Sequence, residues 1–398
     1  MIVVPSRMGQ INKRTLLRRL QRMESASRAV LARDLGISQP TAGRIVDELL
    51  EAGVLEEFQD GADNHSENKN AGRMGRPGRL VRLDSTRARF VVIQFGVTET
   101  CLSALTLGGN YEDVWQARFR TPVDPEAWVA GLRRAAGTVG NGDLWGVLVS
   151  VPGVVDEKAG QVLFSPNLHW TEKVDLPSLV RRVWNLPVHL IQEERALALG
   201  HHATLPAHED FLLVDFGEGV GGALVVGGKI YSGPLPISGE LGHTPVVGNQ
   251  RACGCGGVGC VETLISTRGM LQSFAVATAC NSPTWQELVA HVAEQGLPGW
   301  LADGLNAAAM LIAGAVNVLG VQRVVITGSL NEFVPKVVEH LADGVVKGTM
   351  WARFGLVECV SAPRRRMAGL VEVGIDALVI PAPESGQPAD ATLTGTPP

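Results

Sequence analysis

The residues best suited to chemistry lie close together. They are His243, then Cys253, Cys255 and Cys260 in the run Cys253-Gly254-Cys255-Gly256-Gly257-Val258-Gly259-Cys260, with Glu262 just beyond. One imidazole and three thiolates complete a tetrahedral Zn²⁺ shell, and the glycines let a short loop bend around an ion. Four protein ligands leave no position for water, so the zinc expected here is structural and not a hydrolytic centre. Free core thiols are the plain alternative, against which stands the crowding of three of the chain's six cysteines into residues 253–260. Cys101, Cys280 and Cys359 are scattered, and in a reducing compartment such a cluster points to a metal and not to disulfides.

A loop of this kind needs a body to hold it. At 398 residues the chain exceeds what one core usually supports, which favours a small domain joined to a large one. Glycine and aliphatic residues dominate while aromatics are 5%, a balance suited to α/β layers. From residue 90 onward, short apolar strands at 90–95, 144–149, 188–191, 211–214, 221–226 and 323–326 alternate with helical stretches. The apolar run 307–321 is short and broken by Asn317 and two glycines, so it reads as a buried helix and not a membrane span. Residues 1–10 lack the apolar core of a signal peptide, which predicts a cytoplasmic protein with no membrane partner.

The formal net charge of -5 is unevenly shared: residues 1–90 hold 16 Lys/Arg against 11 Asp/Glu, and the remainder is correspondingly acidic. A basic end on an acidic body suggests contact with nucleic acid, although chance clustering of solvated charge gives the same count. Apolar spacing predicts helices over 11–23 and 28–35, followed by the break Gly36-Ile37-Ser38. Ser38 can cap a third helix with Pro40 in its first turn, whose Ala42, Ile45, Val46 and Leu49 face the other two. Gln39, Thr41, Gly43 and Arg44 are left outward. Small polar residues and an arginine at the start of such a helix fit a helix-turn-helix entering the major groove, with Arg44 suited to guanine and Gln39 to adenine. A three-helix element with no DNA contact is the alternative. Two β-prone pieces, 54–58 and 80–83, flank a long polar stretch and read as a wing. The end of that stretch, with Arg73, Arg76 and Arg79 among glycines, suits a narrow minor groove; a flexible linker is the other reading.

Leu148-Val-Ser-Val-Pro-Gly-Val-Val-Asp156, followed by Phe164-Ser-Pro-Asn-Leu-His-Trp170, resembles the ROK family of repressors and sugar kinases, and Gly239-Glu240-Leu241-Gly242-His243 with the cysteine cluster adds to the likeness. The resemblance implies a two-lobed, actin-like α/β sensor around a sugar cleft, behind a winged helix-turn-helix domain. The expected domains are a reader over 1–84, a sensor over 85–380 and a disordered tail over 381–398. It also implies that Glu240, His243, Glu262 and Asn167 contact a sugar, with His243 shared between metal and sugar. The family's kinases carry Asp-x-Gly-Gly-Thr-Lys in a first phosphate turn, where this chain reads Gln94-Phe95-Gly96-Val97-Thr98-Glu99. Glu99 is therefore expected to lie where phosphate would and to repel it. A second turn reads Gly217-Glu218-Gly219 in place of Gly-Thr-Gly, and the catalytic Asn-Asp-Ala-Asn reads Gln192-Glu193-Glu194-Arg195. Gln192 and Glu193 are then expected to bind sugar without phosphorylating it, with no ATP as cofactor. The charged trio Glu193, Glu194 and Arg195 would suit a ligand bearing an amine or an acid.

The function these readings imply is a sugar-responsive DNA-binding regulator, most simply a repressor, acting as a homodimer or homotetramer on a double-stranded operator. Two rivals stand beside it. One is an active sugar kinase with a DNA-binding arm, which ATP binding would reveal; the other is a regulator that answers to a protein partner and ignores every carbohydrate.

Overall fold

The computed structural model describes residues 5–59, 79–109, 111, 114–140, 142–204, 209–233 and 238–380. The chain divides into two compact units, Met1–Leu83 with Gly374–Pro398, and Asp84–Val373.

In the first unit, α1 (Pro5–Met23), β1 (Ala26–Ser27), α2 (Arg28–Leu35) and α3 (Gln39–Glu51) precede the strands β2 (Leu55–Gln59) and β3 (Arg79–Leu83). Gly36 ends α2 at φ +65°, the left-handed conformation that costs glycine least, and its N–H turns back onto the carbonyls of Ala32 and Arg33. Ser38 then starts α3: its Oγ accepts from the Thr41 N–H at 3.2 Å. Ala42, Ile45, Val46 and Leu49 are all buried, the face that their spacing predicts. The strands form one antiparallel sheet in the order β1-β3-β2. Residues 60–78, the middle of the expected wing, lie outside the described residues.

Residues 374–380 group with this unit, although they were expected to end the sensor. Asp376 holds them there, accepting from Arg14 at 2.5 Å and from Arg18 at 3.0 Å, so two basic side chains of α1 are spent inside the unit. The tail 381–398 lies outside the described residues.

The second unit contains two five-stranded sheets with the same connectivity. The first comprises β4 (Phe90–Phe95), β5 (Glu99–Leu105), β6 (Ala117–Arg120), β7 (Gly146–Val151) and β10 (Val188–Gln192), with α4 (Pro125–Val139), the hairpin β8 (Val154–Asp156) and β9 (Gln161–Phe164), and α5 (Leu176–Arg181) between them. After α6 (Glu193–His202), the second sheet has β11 (Phe211–Phe216), β12 (Val220–Val226), β13 (Lys229–Ile230), β14 (Arg323–Gly328) and β15 (Glu358–Ser361). The intervening helices are α7 (Glu262–Ile265), α8 (Thr267–Thr278), α9 (Trp285–Gln295), α10 (Gly299–Leu319) and α11 (Pro335–Gly348), and α12 (Arg366–Gly374) closes the unit. The orders are β10-β7-β4-β5-β6 and β13-β12-β11-β14-β15. In each sheet an antiparallel meander of three strands gains two parallel strands on its other side. This repeated topology is the two-lobed α/β arrangement that the resemblance implies.

Each lobe has its own core. In the first, Phe95 stacks on Trp128 at 4.5 Å among Val91, Ile93 and Val149. In the second, Leu305, Ala308 and Ile312 of α10 pack on Val214, Val324 and Ile326. By length and apolarity α10 alone among the described residues matches a membrane span, and burial of these side chains gives its composition a core role.

Sequence patterning finds β4, β7, β10, β11, β12 and β14, with β4 at its expected bounds, because a strand buried on both faces is a plain apolar run, while β5, β6, β13 and β15 lie outside the expected strands. The expected strand at 144–149 instead runs from Gly146 to Val151. Its apolar run continues to Val151 before the turn at Pro152-Gly153, which no alternation marks.

Candidate functional site

The repeated topology places the two hairpin turns, β4–β5 and β11–β12, at the same cleft. Asn167, Glu193, Glu240, His243 and Glu262 line it together. Gln192, expected to touch sugar directly, is buried and does not line the cleft. Its amide instead donates to Oε1 of Glu240 at 3.2 Å, which holds that carboxylate in place.

Glu193 and Glu194 open α6, and Glu193 accepts from the guanidinium of Arg366 at the start of α12. Arg366 is almost wholly buried, and nothing local in sequence announced it. Arg195 turns away from the cleft lining: it donates to Glu157 at 2.8 Å and to Ser232 at 3.0 Å. Asp215, which also lines the cleft, is held by Arg364 through two hydrogen bonds, at 2.8 and 2.7 Å, and by the Thr327 hydroxyl at 2.7 Å. Burial works against the charge on Asp215, but Arg364 and these hydrogen bonds outweigh it and hold its pKa below the usual value.

The phosphate side of the cleft departs most from expectation. Oε2 of Glu218 accepts from the Val97 N–H at 2.9 Å, and Oε1 accepts from the Thr98 N–H at 3.1 Å. One hairpin turn thus inserts a carboxylate into the backbone amides of the other, where an anion would bind. Glu99, expected to be the repelling acid, lies elsewhere. Its carbonyl closes the turn by accepting from the Gly96 N–H, while its carboxylate meets the Cys101 thiol at 3.5 Å and Arg118 at 3.6 Å. The physical reason is the hairpin itself: β5 starts at Glu99, so that side chain follows the β5–β6 pair, whereas Glu218 stands at the turn's apex.

The ligand atoms of His243, Cys253, Cys255 and Cys260 lie within 4.8 Å of one another, so these four residues can hold a metal ion. Sγ of Cys255 is 3.7 Å from Sγ of Cys260, and Sγ of Cys253 is 3.5 Å from Nδ1 of His243. Metal bonds of about 2.3 Å to sulfur and about 2.0 Å to nitrogen in a tetrahedron give edges close to both values. Burial and the crowded thiols push Cys260 up to about 12, a cost that a divalent cation reverses. Nε2, the other ring nitrogen of His243, stands 3.7 Å from Glu240 on the cleft side. The loop reaches the cleft again through Glu262, which accepts from the Val220 N–H at 3.0 Å.

In the first unit, Gln39 and Arg44 are exposed and Thr41 is half-buried. Arg44 pairs with Glu48 one helical turn on, at 2.8 Å, and Arg79 pairs with Glu57 at 2.9 Å. Arg76 lies outside the described residues.

A model described as ROK family matches residues 91–370. The chain belongs to the ROK family. It is 29% identical over 278 residues to a putative xylose repressor of Caldicellulosiruptor sp. (strain Rt8B.4), a match covering 66% of this chain and 65%, just under two thirds, of that relative's length. A xylose repressor of Bacillus subtilis (strain 168) is 24% identical over 355 residues, 84% of this chain and 86% of that protein. Among solved structures, a ROK family transcriptional regulator described as a homolog of the E. coli MLC protein aligns with TM-score 0.68 and 18% identity, covering 93% of this chain and 97% of the other. That likeness establishes the actin-like fold. Family kinases match as well but over less of the chain: a Streptomyces coelicolor glucokinase is 30% identical over 38% of it.

Proposed function

We propose that this ROK protein is a sugar-responsive, DNA-binding transcriptional regulator, a repressor of carbohydrate genes without kinase activity. The observation that carries this reading is Glu218 on the amides of Val97 and Thr98, beside a sugar side that keeps Asn167, Glu240, His243 and Glu262. A nucleotide's phosphates would meet a carboxylate already seated in their cradle, with like charge repelling like. Glu193, at the position of the catalytic base, is engaged by Arg366 and is poorly placed to take a proton from a hydroxyl. The relatives named as repressors support the same reading.

The metal proposed for the His243, Cys253, Cys255 and Cys260 group is Zn²⁺, held as a structural crosslink. Bound there, it would fix His243 and Glu262 at the cleft. The reader acts in pairs on two related half-sites of an operator, as a homodimer or homotetramer. Sugar must bind one arrangement of the chain better than another, and that difference in affinity sets the size of the switch.

Thermal unfolding of the metal-loaded chain against a panel of sugars, with and without Mg-ATP, tests the proposal. A midpoint that rises with one sugar and is indifferent to Mg-ATP supports it, because a ligand of the folded state stabilises by mass action. A rise with Mg-ATP, or turnover of ATP with any sugar, contradicts it. At the reader, Arg44→Ala is expected to weaken operator binding by about 1–3 kcal/mol and to relax base preference at one position of each half-site. Binding to mutated duplexes checks this, and unchanged affinity and specificity would remove Arg44 from the DNA surface.

A further inference from the structure

The partners around the cleft leave one carboxylate oxygen without a donor. Glu193 has Arg366 and Asp215 has Arg364, while Glu218 and Glu262 are each held by backbone N–H groups. Glu194 is different. Its Oε2 is sealed from solvent and has no hydrogen-bond partner, although the side chain lines the cleft. It packs closely there: a Cβ on Gly221 would stand 2.5 Å from Oε1 of Glu194, so a larger residue at that position would push the carboxylate aside. Burial first, and then the neighbouring Glu193 and Glu240, push its pKa well up, against a backbone hydrogen bond that works the other way. Glu240, near enough to act on Glu194, has among the described residues the neutral amide of Gln192 and the ring of His243 as polar partners.

A buried carboxylate oxygen without a donor is costly, and a ligand that brings a charged donor to the cleft relieves the cost once the side chain turns toward it. Resting on the reading that the cleft takes a sugar, we propose that its ligand is a sugar bearing a positively charged amino group, held by Glu194 with Glu240 beside it. An acidic sugar is the wrong partner, because Arg195 is committed to Glu157 and Ser232 while Arg364 and Arg366 are committed to carboxylates. A divalent ion is also a poorer fit. Among the described residues, the one group with three or more ligand atoms gathered as a metal requires is the His243 and cysteine cluster. An ammonium group needs only two or three acceptors and tolerates looser geometry.

Calorimetric titration of the metal-loaded full chain with glucosamine, galactosamine and mannosamine tests this. Each is compared with its hydroxyl parent and its N-acetyl form, at a pH where the amine is protonated. At least one free amine should bind 10-fold or more tighter than both of its neutral counterparts, and Glu194→Gln should bring that ratio close to one. If the neutral parents bind as well as the amines, or the ratio survives Glu194→Gln, the proposal is overturned while the sugar reading stands. Failure of every sugar, charged or neutral, would overturn both. The wild-type comparison decides the amine preference even if the variant does not fold.

Discussion

Arg366→Met is expected to destabilise the sensor by about 3–5 kcal/mol, because it removes one partner of a buried pair and leaves the other charge behind. Arg366 has a side-chain exposure of 3% and Glu193 one of 17%, so solvent cannot replace the lost guanidinium. The remaining carboxylates make matters worse: Glu193, Glu194 and Glu240 would share the cleft with no cation committed to them. Midpoints should fall by roughly 10 °C in thermal unfolding. The double change Glu193→Gln with Arg366→Met should recover most of the loss, since the cost lies in the orphaned charge more than in the missing bond. A single variant as stable as the parent would show that the pair does not hold the start of α6 to α12.

The second large effect concerns the metal loop. Cys255→Ser removes one of four ligands, and retained metal should fall by more than the roughly 100-fold that loss of a supporting contact costs. The consequence should reach the cleft, because the same loop carries His243 at one end and Glu262 at the other. The bridges Pro245 with Cys260 and Ala252 with Val258, and the Asn249 and Arg251 side chains that bond to Cys260 and Thr263, also shape the loop, so loss of the metal should loosen it without unfolding it. Metal analysis of the purified variant, together with its thermal response to sugar, provides the check. Full metal content in the variant would contradict the four-ligand assignment; lost metal with an intact sugar response would separate the loop from the cleft.

The parts of this molecule that sequence patterning reveals are those encoded within a few residues. The Ser38 cap, the buried stripe of α3, the apolar run of β4 and the three cysteines of one loop each carry their signal locally. The cleft depends on partners brought from far along the chain. Glu218 reads in sequence as a spoiled turn, but its action on Val97 and Thr98 spans about 120 residues and follows from the pairing of two hairpins. Glu99 misleads for the complementary reason: its position in the turn is right, but its side chain follows a strand. Arg366 lies 173 residues from Glu193 and belongs to no motif of the cleft. The C-terminal segment likewise has no local mark of its place, which Asp376 and two arginines of α1 decide.

The most direct test of the central claim is selection of bound duplexes from a random-sequence DNA pool by the metal-loaded full chain, followed by titration of the winner with and without sugar at fixed salt. Enrichment of a sequence with two related half-sites, whose affinity changes in the presence of one sugar, is the predicted result. A pool that shows no enrichment, or an enriched duplex whose affinity is unmoved by every sugar in the panel, would contradict the account.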